Sequence, residues 1–251
     1  MNIVTIITPC YNAEKYIKET IESVLSQDYS NFELIIVNDC STDRSEEIIK
    51  SFNDSRIKYY KFDINQGVAA ARNFALDHAT GKYVTFLDSD DLWLPDKLKR
   101  QIFFMEENNV LFSCTAYAQM DAEGNKLNRI LTPPKDIDYN KCIRLGNPIG
   151  NLTAIYNQDK LGKFKVPNIK KRNDFALWLQ ILKKTNCVGL SDNLAVYRLG
   201  RKGSVSANKL AQIKYHWQLY HDIEGHGLIR SAFEIGCWVV VKTVSKISKR
   251  T

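Results

Sequence analysis

The sequence predicts an α/β protein with a mostly parallel sheet flanked by helices. Short apolar runs alternate with amphipathic segments over residues 1–90, an order that gives parallel strands joined by right-handed crossovers. The continuous apolar run Phe32–Val37 is typical of a strand covered on both faces. No apolar run reaches about eighteen residues and no signal peptide is recognisable, so we expect neither a membrane-spanning helix nor a cleaved leader.

Four strands and three helices are predicted in the first half of the chain. Each strand is rich in β-branched and aromatic residues, and each helix carries apolar residues three or four positions apart. Asn12, and Ser41 or Thr42, are residue types that cap helix N-termini, so we expect helices to begin there. The predicted strands are Ile3–Thr8, Phe32–Val37, Ile57–Phe62 and Tyr83–Leu87, and the third helix is Gly67–Ala79.

The second half continues without an obvious linker. Its predicted elements are a helix at Lys97–Glu107, a strand at Val110–Met120, a turn at Asp121–Asn125, a short helix at Tyr139–Leu145, a strand at Leu152–Tyr156 and a helix at Asn173–Lys184. We therefore expect one domain over residues 1–225, in which residues 1–100 and 101–225 are two functional regions.

Residues 226–251 are predicted to form a basic amphipathic helix. Apolar residues recur at intervals of three and four between Ile229 and Ile247, and the cations Lys242, Lys246, Lys249 and Arg250 have no acid nearby. Such a helix either packs on the domain or lies in a membrane interface. The sequence leaves both interpretations open.

Charge is distributed unevenly along the chain. Residues 1–125 hold 20 Asp/Glu and 12 Lys/Arg, a net charge of −8, whereas residues 126–251 hold 8 and 23, a net charge of +15, giving +7 in total. The basic half is expected to face an anionic partner. No nucleic-acid-binding motif accompanies it, so we predict an anionic membrane surface or a phosphate-bearing acceptor and no nucleic acid. The six cysteines lack C-x-x-C spacing, which favours reduced, buried thiols.

The stretch Phe86-Leu87-Asp88-Ser89-Asp90-Asp91 is the most informative motif. An apolar strand runs directly into three carboxylates, which repel one another unless a cation lies between them. Mn²⁺ and Mg²⁺ take oxygen ligands and share them with phosphates, and α/β sheets bind ligands at the carboxyl ends of their strands. The motif therefore predicts a metal–diphosphate site. The alternative is that Asp88–Asp91 cap the helix after Pro95.

Polar segments also follow the other three predicted strands. Because parallel strands deliver them to one edge of the sheet, they should form a crevice the size of a nucleotide. A Tyr can stack on a base, an Asp can accept a bond from a uracil N–H, and an Arg can neutralise carboxylates or a diphosphate. The segments are Thr8-Pro9-Cys10-Tyr11-Asn12, Asn38-Asp39-Cys40-Ser41-Thr42-Asp43 and residues 65–73.

Together these four motifs resemble those of glycosyltransferase family 2, whose members have the GT-A fold, and especially small bacterial enzymes that build O-antigens, capsules and teichuronic acids. The resemblance covers roughly residues 1–100. It implies that Pro9, Tyr11 and Asp39 hold the uridine of a UDP-sugar donor. It further implies that Arg72 reaches into the nucleotide site and pairs with the acidic cluster, that Asp88 and Ser89 contact the donor, and that Asp90 ligates Mn²⁺ or Mg²⁺. Asn38 stands where many relatives have an Asp.

The second half matches the family more weakly. Residues 171–179 are similar to an acidic segment that precedes a Leu-Trp-Leu helix, and the resemblance makes Asp174 the general base; its alternative role is a helix N-cap. Asn173 replaces a Glu that is frequent at this position. Tyr197-Arg198 with Gly203-Ser204-Val205-Ser206 is similar to a further family segment implicated in diphosphate binding, although a His common in it is missing here.

The resemblance implies a metal-dependent, inverting enzyme that moves a hexose or N-acetylhexosamine from a UDP-sugar to a polyprenyl-diphosphate-linked saccharide. We expect it in the cytoplasm, peripheral on the inner face of a bacterial membrane. The absence of Gly-x-Gly-x-x-Gly after the first strand argues against a dehydrogenase, and the absence of Gln-x-x-Arg-Trp argues against a processive synthase. The alternatives are a sugar nucleotidyltransferase, which usually opens with a Gly-rich loop, and a non-catalytic nucleotide- or polyanion-binding module.

Overall fold

The computed structural model describes residues 3–169, 171–200 and 209–247, with only the backbone described at 209–212 and 242–247. The strands are β1 Val4–Cys10, β2 Phe32–Asn38, β3 Ile57–Lys61, β4 Tyr83–Phe86, β5 Leu92–Trp93, β6 Phe112–Met120, β7 Lys126–Leu131, β8 Asp136–Ile137, β9 Ile155–Asn157 and β10 Cys187–Arg198. The α-helices are α1 Ile17–Leu25, α2 Ser45–Lys50, α3 Val68–His78, α4 Lys97–Glu107, α5 Tyr139–Leu145, α6 Gln158–Leu161, α7 Asn173–Leu182, α8 Lys209–Trp217 and α9 Leu228–Ile247. A 3₁₀ turn covers Asn151–Thr153, and a π-helical segment covers Gln218–Ile223.

One mixed sheet forms the centre of the structure, in the order β3-β2-β1-β4-β9-β6-β10-β5, with β7 beside β6 and β8 beside β10. The strands β3, β2, β1 and β4 are parallel, as predicted. The strand β9 lies antiparallel between β4 and β6 and joins the second half of the chain to this parallel core. The predicted α/β class is confirmed.

Helices cover both faces of the sheet because side chains alternate along the strands. Ile6 of β1 and Leu34 of β2 face the layer that contains α1, α2 and α4. Ile7 and Ile35, one position later, face the layer that contains α3, α5 and α7. These side chains are almost completely buried, so the crossovers are fixed on both sides of the strands whose carboxyl ends carry the polar loops.

The predicted helix caps are wrong. The helix α1 begins at Ile17, and Asn12, at φ 47°, accepts a 2.9 Å hydrogen bond from the backbone N–H of Thr42. The helix α2 begins at Ser45, whose backbone N–H donates to Asp43 over 3.0 Å. The bond between Asn12 and Thr42 ties the loop after β1 to the loop after β2, which places both at the same edge.

The short elements β5, β7, β8 and α6, and the longer β10 and α8, were not predicted from the sequence. Strand β10 carries the polar run Ser191-Asp192-Asn193 in its middle, and its pairing with β6 shifts register between Leu190 and Asn193. An irregularity of this kind interrupts the alternation by which strands are recognised.

The C-terminal helix α9 packs on the domain through one face. Ser231, Glu234 and Trp238 on this face are buried. Trp238 covers Gly146, where an added Cβ would lie 2.1 Å from Trp238 Cδ1 and where φ is +69°, so both space and conformation require glycine. No helix in the described part of the chain is both long and apolar enough to cross a bilayer.

Lys97 is a fully buried lysine at the start of α4. Its Nζ lies 4.0 Å from the centre of the Trp93 ring and donates a 3.2 Å bond to Gln101 Oε1. Burial lowers the pKa of Lys97 well below its ordinary value, because these two partners replace only part of the water that an ammonium group would hold.

We expect Lys97→Met to stabilise the fold at neutral pH. With a folded-state pKa below the unfolded-state value, the unfolded chain binds the extra proton, so the free energy of unfolding rises with pH between the two pKa values, by up to about 1.4 kcal/mol per pH unit. The substitution should raise the free energy of unfolding at pH 7 and remove this slope. Urea unfolding from pH 6 to pH 9 measures both effects, with the exposed Lys99→Met as control. A lower stability with an unchanged slope would contradict this account.

Candidate active site

Asp39 lies at the carboxyl end of β2 and holds the loop that precedes α3. Its two carboxylate oxygens accept hydrogen bonds from the backbone N–H groups of Gln66 and Gly67, over 2.7 and 2.8 Å. Its own backbone N–H donates to Cys10 O. Asp39 is buried and each of its oxygens retains acceptor capacity, so its predicted role toward a base is compatible with this structural role.

Tyr11 and Pro9 lie at the end of the neighbouring strand β1. Pro9 is buried within the strand, opposite Val37 of β2. Tyr11 is 50% exposed, which leaves a ring face available for stacking. Burial raises the pKa of the intervening Cys10 thiol to about 12, so this cysteine is not a nucleophile at neutral pH.

The acidic loop, defined here as Asp88–Asp91, leaves β4 and leads into the short strand β5 rather than into a helix. The following helix α4 begins at Lys97 with Asp96 before it, and no side chain caps it. The alternative interpretation of the acidic loop as a helix cap is therefore wrong. Ser89, Asp90 and Asp91 are buried, whereas the Asp88 side chain is 31% exposed.

Arg72 of α3 connects the acidic loop with helix α7. Its Nη2 donates to Asp88 Oδ1 over 2.6 Å, and its Nη1 donates to Asn173 Oδ1 over 2.7 Å. The guanidinium is buried, and its Nε has no hydrogen-bond partner among the described residues. The predicted pairing of Arg72 with the acidic cluster is present, and the same side chain bridges the two halves of the chain.

Asp174 follows Asn173 in the first turn of α7. The N-cap position is occupied by Arg172, at φ 68°, and no side chain caps the helix, so Asp174 is not the N-cap that the alternative interpretation required. Its Oδ2 accepts a 3.0 Å bond from Asn147 Nδ2. The Asp174 side chain is only partly buried, and a negative charge at a helix N-terminus is favourable.

Arg198, at the end of β10, has a structural role on the other side of the acidic loop. Its backbone N–H donates to Asp91 Oδ1 over 2.9 Å, and its Nε donates to Asp90 O over 3.0 Å. Its Nη2 pairs with Glu19 of α1 over 2.7 Å. With these bonds the buried guanidinium of Arg198 holds the acidic loop against α1. The Ser204–Ser206 part of the motif lies outside the described residues.

Negative charge is concentrated around Tyr197. Burial raises the pKa of the Tyr197 phenol, and the nearby carboxylates of Asp91, Asp88 and Asp90 raise it further. An excess of oxygen donors beside a partly exposed Asp88 fits a hard divalent cation. Within the residues that the structure describes, however, no three His, Cys, Asp or Glu side chains are grouped as a metal site. Oxygens of a second ligand such as a diphosphate would add to the coordination of a cation here.

Three contributors to this region were missed from the sequence. Asn147 holds Asp174, Asn151 Nδ2 donates to Asp88 Oδ1 over 3.3 Å, and Tyr117 lies near both Asp91 and Asp174. The two asparagines share the stretch Gly146-Asn147-Pro148-Ile149-Gly150-Asn151. Two amide side chains in a segment rich in Gly and Pro, which indicates a loop, were the signal in the sequence that could have identified them.

Comparison with protein families and curated proteins gives consistent matches. The model of "Glycosyl transferase family 2" matches residues 5–163. The chain is 39% identical over 251 residues to the putative teichuronic acid biosynthesis glycosyltransferase TuaG of Bacillus subtilis, covering 99% of this chain and 97% of the relative. It is 37% identical over 230 residues to WfgD of Escherichia coli, named as a UDP-Glc:alpha-D-GlcNAc-diphosphoundecaprenol beta-1,3-glucosyltransferase, covering 91% and 89%.

Solved structures share the fold at low sequence identity. S. aureus TarS 1–349 in complex with UDP-GlcNAc superposes with a TM-score of 0.71 and 21% identity, covering 95% of this chain and 72% of that one. The mannosyltransferase PcManGT of Pyrobaculum calidifontis, in complex with GDP-Man and Mn²⁺, superposes with a TM-score of 0.65 and 18% identity, covering 97% and 75%. These likenesses confirm the predicted GT-A fold.

The contacts of Arg198 predict that Arg198→Lys destabilises the protein by about 2–3 kcal/mol, because an ammonium group cannot make the same set of buried hydrogen bonds. Urea unfolding measures the change, and Arg129→Lys, at an exposed position of β7, is the matched control. Equal stability of the two variants would show that Arg198 does not hold the loop.

Proposed function

The chain belongs to glycosyl transferase family 2, and we propose that it transfers a hexose or N-acetylhexosamine from a UDP-sugar to a saccharide carried on a polyprenyl diphosphate. The observation that carries the proposal is the double contact of Arg72, which joins Asp88 on one side and Asn173, next to Asp174, on the other. Arg72 thus links the residues proposed to hold the donor with the helix that carries the proposed general base. The name of WfgD makes UDP-glucose and a GlcNAc-diphosphate lipid the first pair to test.

The donor would lie across the carboxyl ends of β1, β2 and β4. Tyr11 would stack on the uracil, Pro9 would shape the floor beneath it, and Asp39 would accept from the base N–H. Asp88 and Ser89 would contact the ribose and diphosphate side of the donor. Arg72, with an unused buried Nε–H, supplies positive charge toward the diphosphate.

Asp90, together with Asp88, would hold a Mn²⁺ or Mg²⁺ ion shared with the diphosphate. Such an ion offsets the negative charge that develops on a departing nucleoside diphosphate. The buried arginines on both sides keep the carboxylates in place, since Arg72 binds Asp88 and Arg198 holds the Asp90 carbonyl. The Mn²⁺ named with the PcManGT structure supports this choice of ion.

Asp174 would act as the general base. It takes the proton from an acceptor hydroxyl while that oxygen forms a bond to the anomeric carbon and the bond from that carbon to the diphosphate breaks. A single in-line displacement inverts the anomeric configuration. Asn147 donates to Asp174 Oδ2 and so fixes the orientation of the carboxylate.

An acceptor carried on a polyprenyl chain would place the enzyme at the inner face of the cell membrane, in the cytoplasm. The net charge of +15 over residues 126–251 favours an anionic surface and a diphosphate-bearing acceptor. Two basic stretches without an acid, Lys160–Arg172 and Arg198–Lys214, are expected to contribute. Their residues Lys170 and Arg201 lie outside the described residues.

A donor screen with the purified chain tests the function directly. UDP-glucose, UDP-galactose and their N-acetyl forms would be offered with a synthetic GlcNAc-diphosphate acceptor on a short, water-soluble chain. We expect one donor to give a product with the opposite anomeric configuration to the donor, identified by mass spectrometry and NMR. UDP binding without turnover of any donor would instead support a binding module.

We expect Asp90→Ala to abolish transfer while leaving the fold intact, because the substitution removes a metal ligand and little apolar packing. Activity with and without EDTA, and Tm, are the measurements. The control is Asp28→Ala, at an exposed position, which should remain active. Activity that persists both in EDTA and in the Asp90→Ala protein would exclude metal dependence.

We expect Asp174→Asn to reduce kcat by roughly 10²–10⁴, the usual contribution of a general base, with little change in KM for the donor. The exposed Asp159→Asn is the matched control. Asn147→Gly should lower kcat less, since glycine keeps the positive φ of 67° and removes only the amide that orients the base. Near-normal kcat in Asp174→Asn would assign the base to another residue.

A further inference from the structure

The outward side of α9 is an apolar ridge, defined here as Leu228, Ile229, Phe233, Val239 and Val240. Ile229 is 89% exposed, Phe233 65% and Val240 60%. Their spacing of four and seven residues puts them on one side of the helix, and a hollow lined by Gly227–Arg230 and Phe233 lies at its N-terminal end. Contiguous exposed apolar surface of this kind marks an interaction site.

The orientation of the ridge is fixed by polar contacts on the opposite side of α9. Buried Glu234 accepts from Arg230 Nε over 2.9 Å, and its Oε2 lies 2.7 Å from His226 Nδ1. His226 Nε2 lies 3.0 Å from the hydroxyl of Tyr139 in α5. Trp238 closes the same side against Gly146. The helix therefore buries Glu234 and Trp238 against the domain and presents the apolar ridge outward, where an ordinary surface helix carries polar residues.

Charge indicates what covers the ridge. From residue 235 to residue 251 the sequence contains no Asp or Glu, and it contains four cations, Lys242, Lys246, Lys249 and Arg250. The one acid within the first part of the helix, Glu234, is buried and paired. A row of apolar side chains followed by cations matches the acyl boundary and the headgroups of an anionic bilayer.

We propose that the apolar ridge of α9 docks the protein on an anionic lipid bilayer, with Ile229, Phe233 and Val240 inserted at the headgroup boundary. The inference rests on the proposed function, because it places the acceptor site beside the membrane that carries the acceptor. A second copy of the chain could cover the same ridge, and the experiment distinguishes it from lipid.

The ridge is connected to the candidate base by a short path. Trp238, on the buried side of α9, covers Gly146, and the next residue, Asn147, donates to Asp174. A second path runs from Trp238 to His216, whose ring centre is 4.2 Å away, and on to Phe175 at 6.1 Å. A helix lying in the interface at this point would hold Asp174 near the headgroups, where a lipid-linked sugar is presented.

Vesicle co-sedimentation tests the proposal with the full chain. The probes are phosphatidylcholine vesicles with and without phosphatidylglycerol. The variants are Phe233→Gln and Ile229→Gln/Phe233→Gln, and the control is Phe103→Gln, which removes an equally exposed phenylalanine, 65%, from α4. Point changes are preferred to truncation because buried Trp238 would be lost with the helix.

We expect Phe233→Gln to weaken binding to anionic vesicles about tenfold and the double variant to weaken it further, as the transfer free energy of the lost apolar groups implies. Added salt should weaken binding of the unmodified chain, and Phe103→Gln should bind like that chain. Turnover of the short soluble acceptor should be unchanged in every variant, which tests the proposed function separately.

Two results would overturn the proposal. One is vesicle binding that is absent, or that is equal in the ridge variants and in Phe103→Gln. The other is a dimer of the unmodified chain in solution, seen by light scattering, that becomes monomeric in the ridge variants, since the ridge would then be an interface between copies. Unchanged Tm in the variants ensures that neither result reflects misfolding.

Discussion

Two buried arginines hold the loop that carries three carboxylates at the end of β4. Arg72 comes from α3 and binds the Asp88 carboxylate. Arg198 comes from the end of β10, where its guanidinium donates to the Asp90 carbonyl and its backbone N–H donates to the Asp91 carboxylate. These contacts and the positive charge of the two guanidinium groups oppose the mutual repulsion of Asp88, Asp90 and Asp91. We propose that the negative charge of this loop binds a divalent ion that is shared with a diphosphate.

The same arginines make the two halves of the chain depend on each other. Arg72 reaches Asn173 across 101 positions of sequence, and Arg198 reaches Glu19 across 179. A displacement of α7 would therefore move Arg72 and, through it, Asp88. Trp238 of α9 packs on Gly146, which precedes Asn147. We infer that α3, α7 and α9 are mechanically connected through buried side-chain contacts as well as through the loops between them.

The parallel core was predictable because its signals are local. The bounds of α4 and α5 match the predicted helices at Lys97–Glu107 and Tyr139–Leu145, and the first four strands agree to within two residues at each end. The insertion of β9 between β4 and β6, the irregular β10 and the supporting roles of Asn147 and Asn151 were not predictable from local pattern. Each depends on contacts between residues far apart in sequence. The motif residues Asp39 and Arg198 illustrate the limit, since their types were noticed but their structural bonds were not.

The central claim is that the acidic loop and Arg72 form a site for a metal ion shared with a nucleoside diphosphate. Isothermal titration of UDP into the purified chain, with and without Mn²⁺, detects such a site. We expect Mn²⁺ to increase the affinity for UDP and Mn²⁺ alone to bind weakly, because the described residues offer no group of three His, Cys, Asp or Glu side chains. Equal UDP affinity in Mn²⁺ and in EDTA, or tight Mn²⁺ binding without UDP, would contradict it.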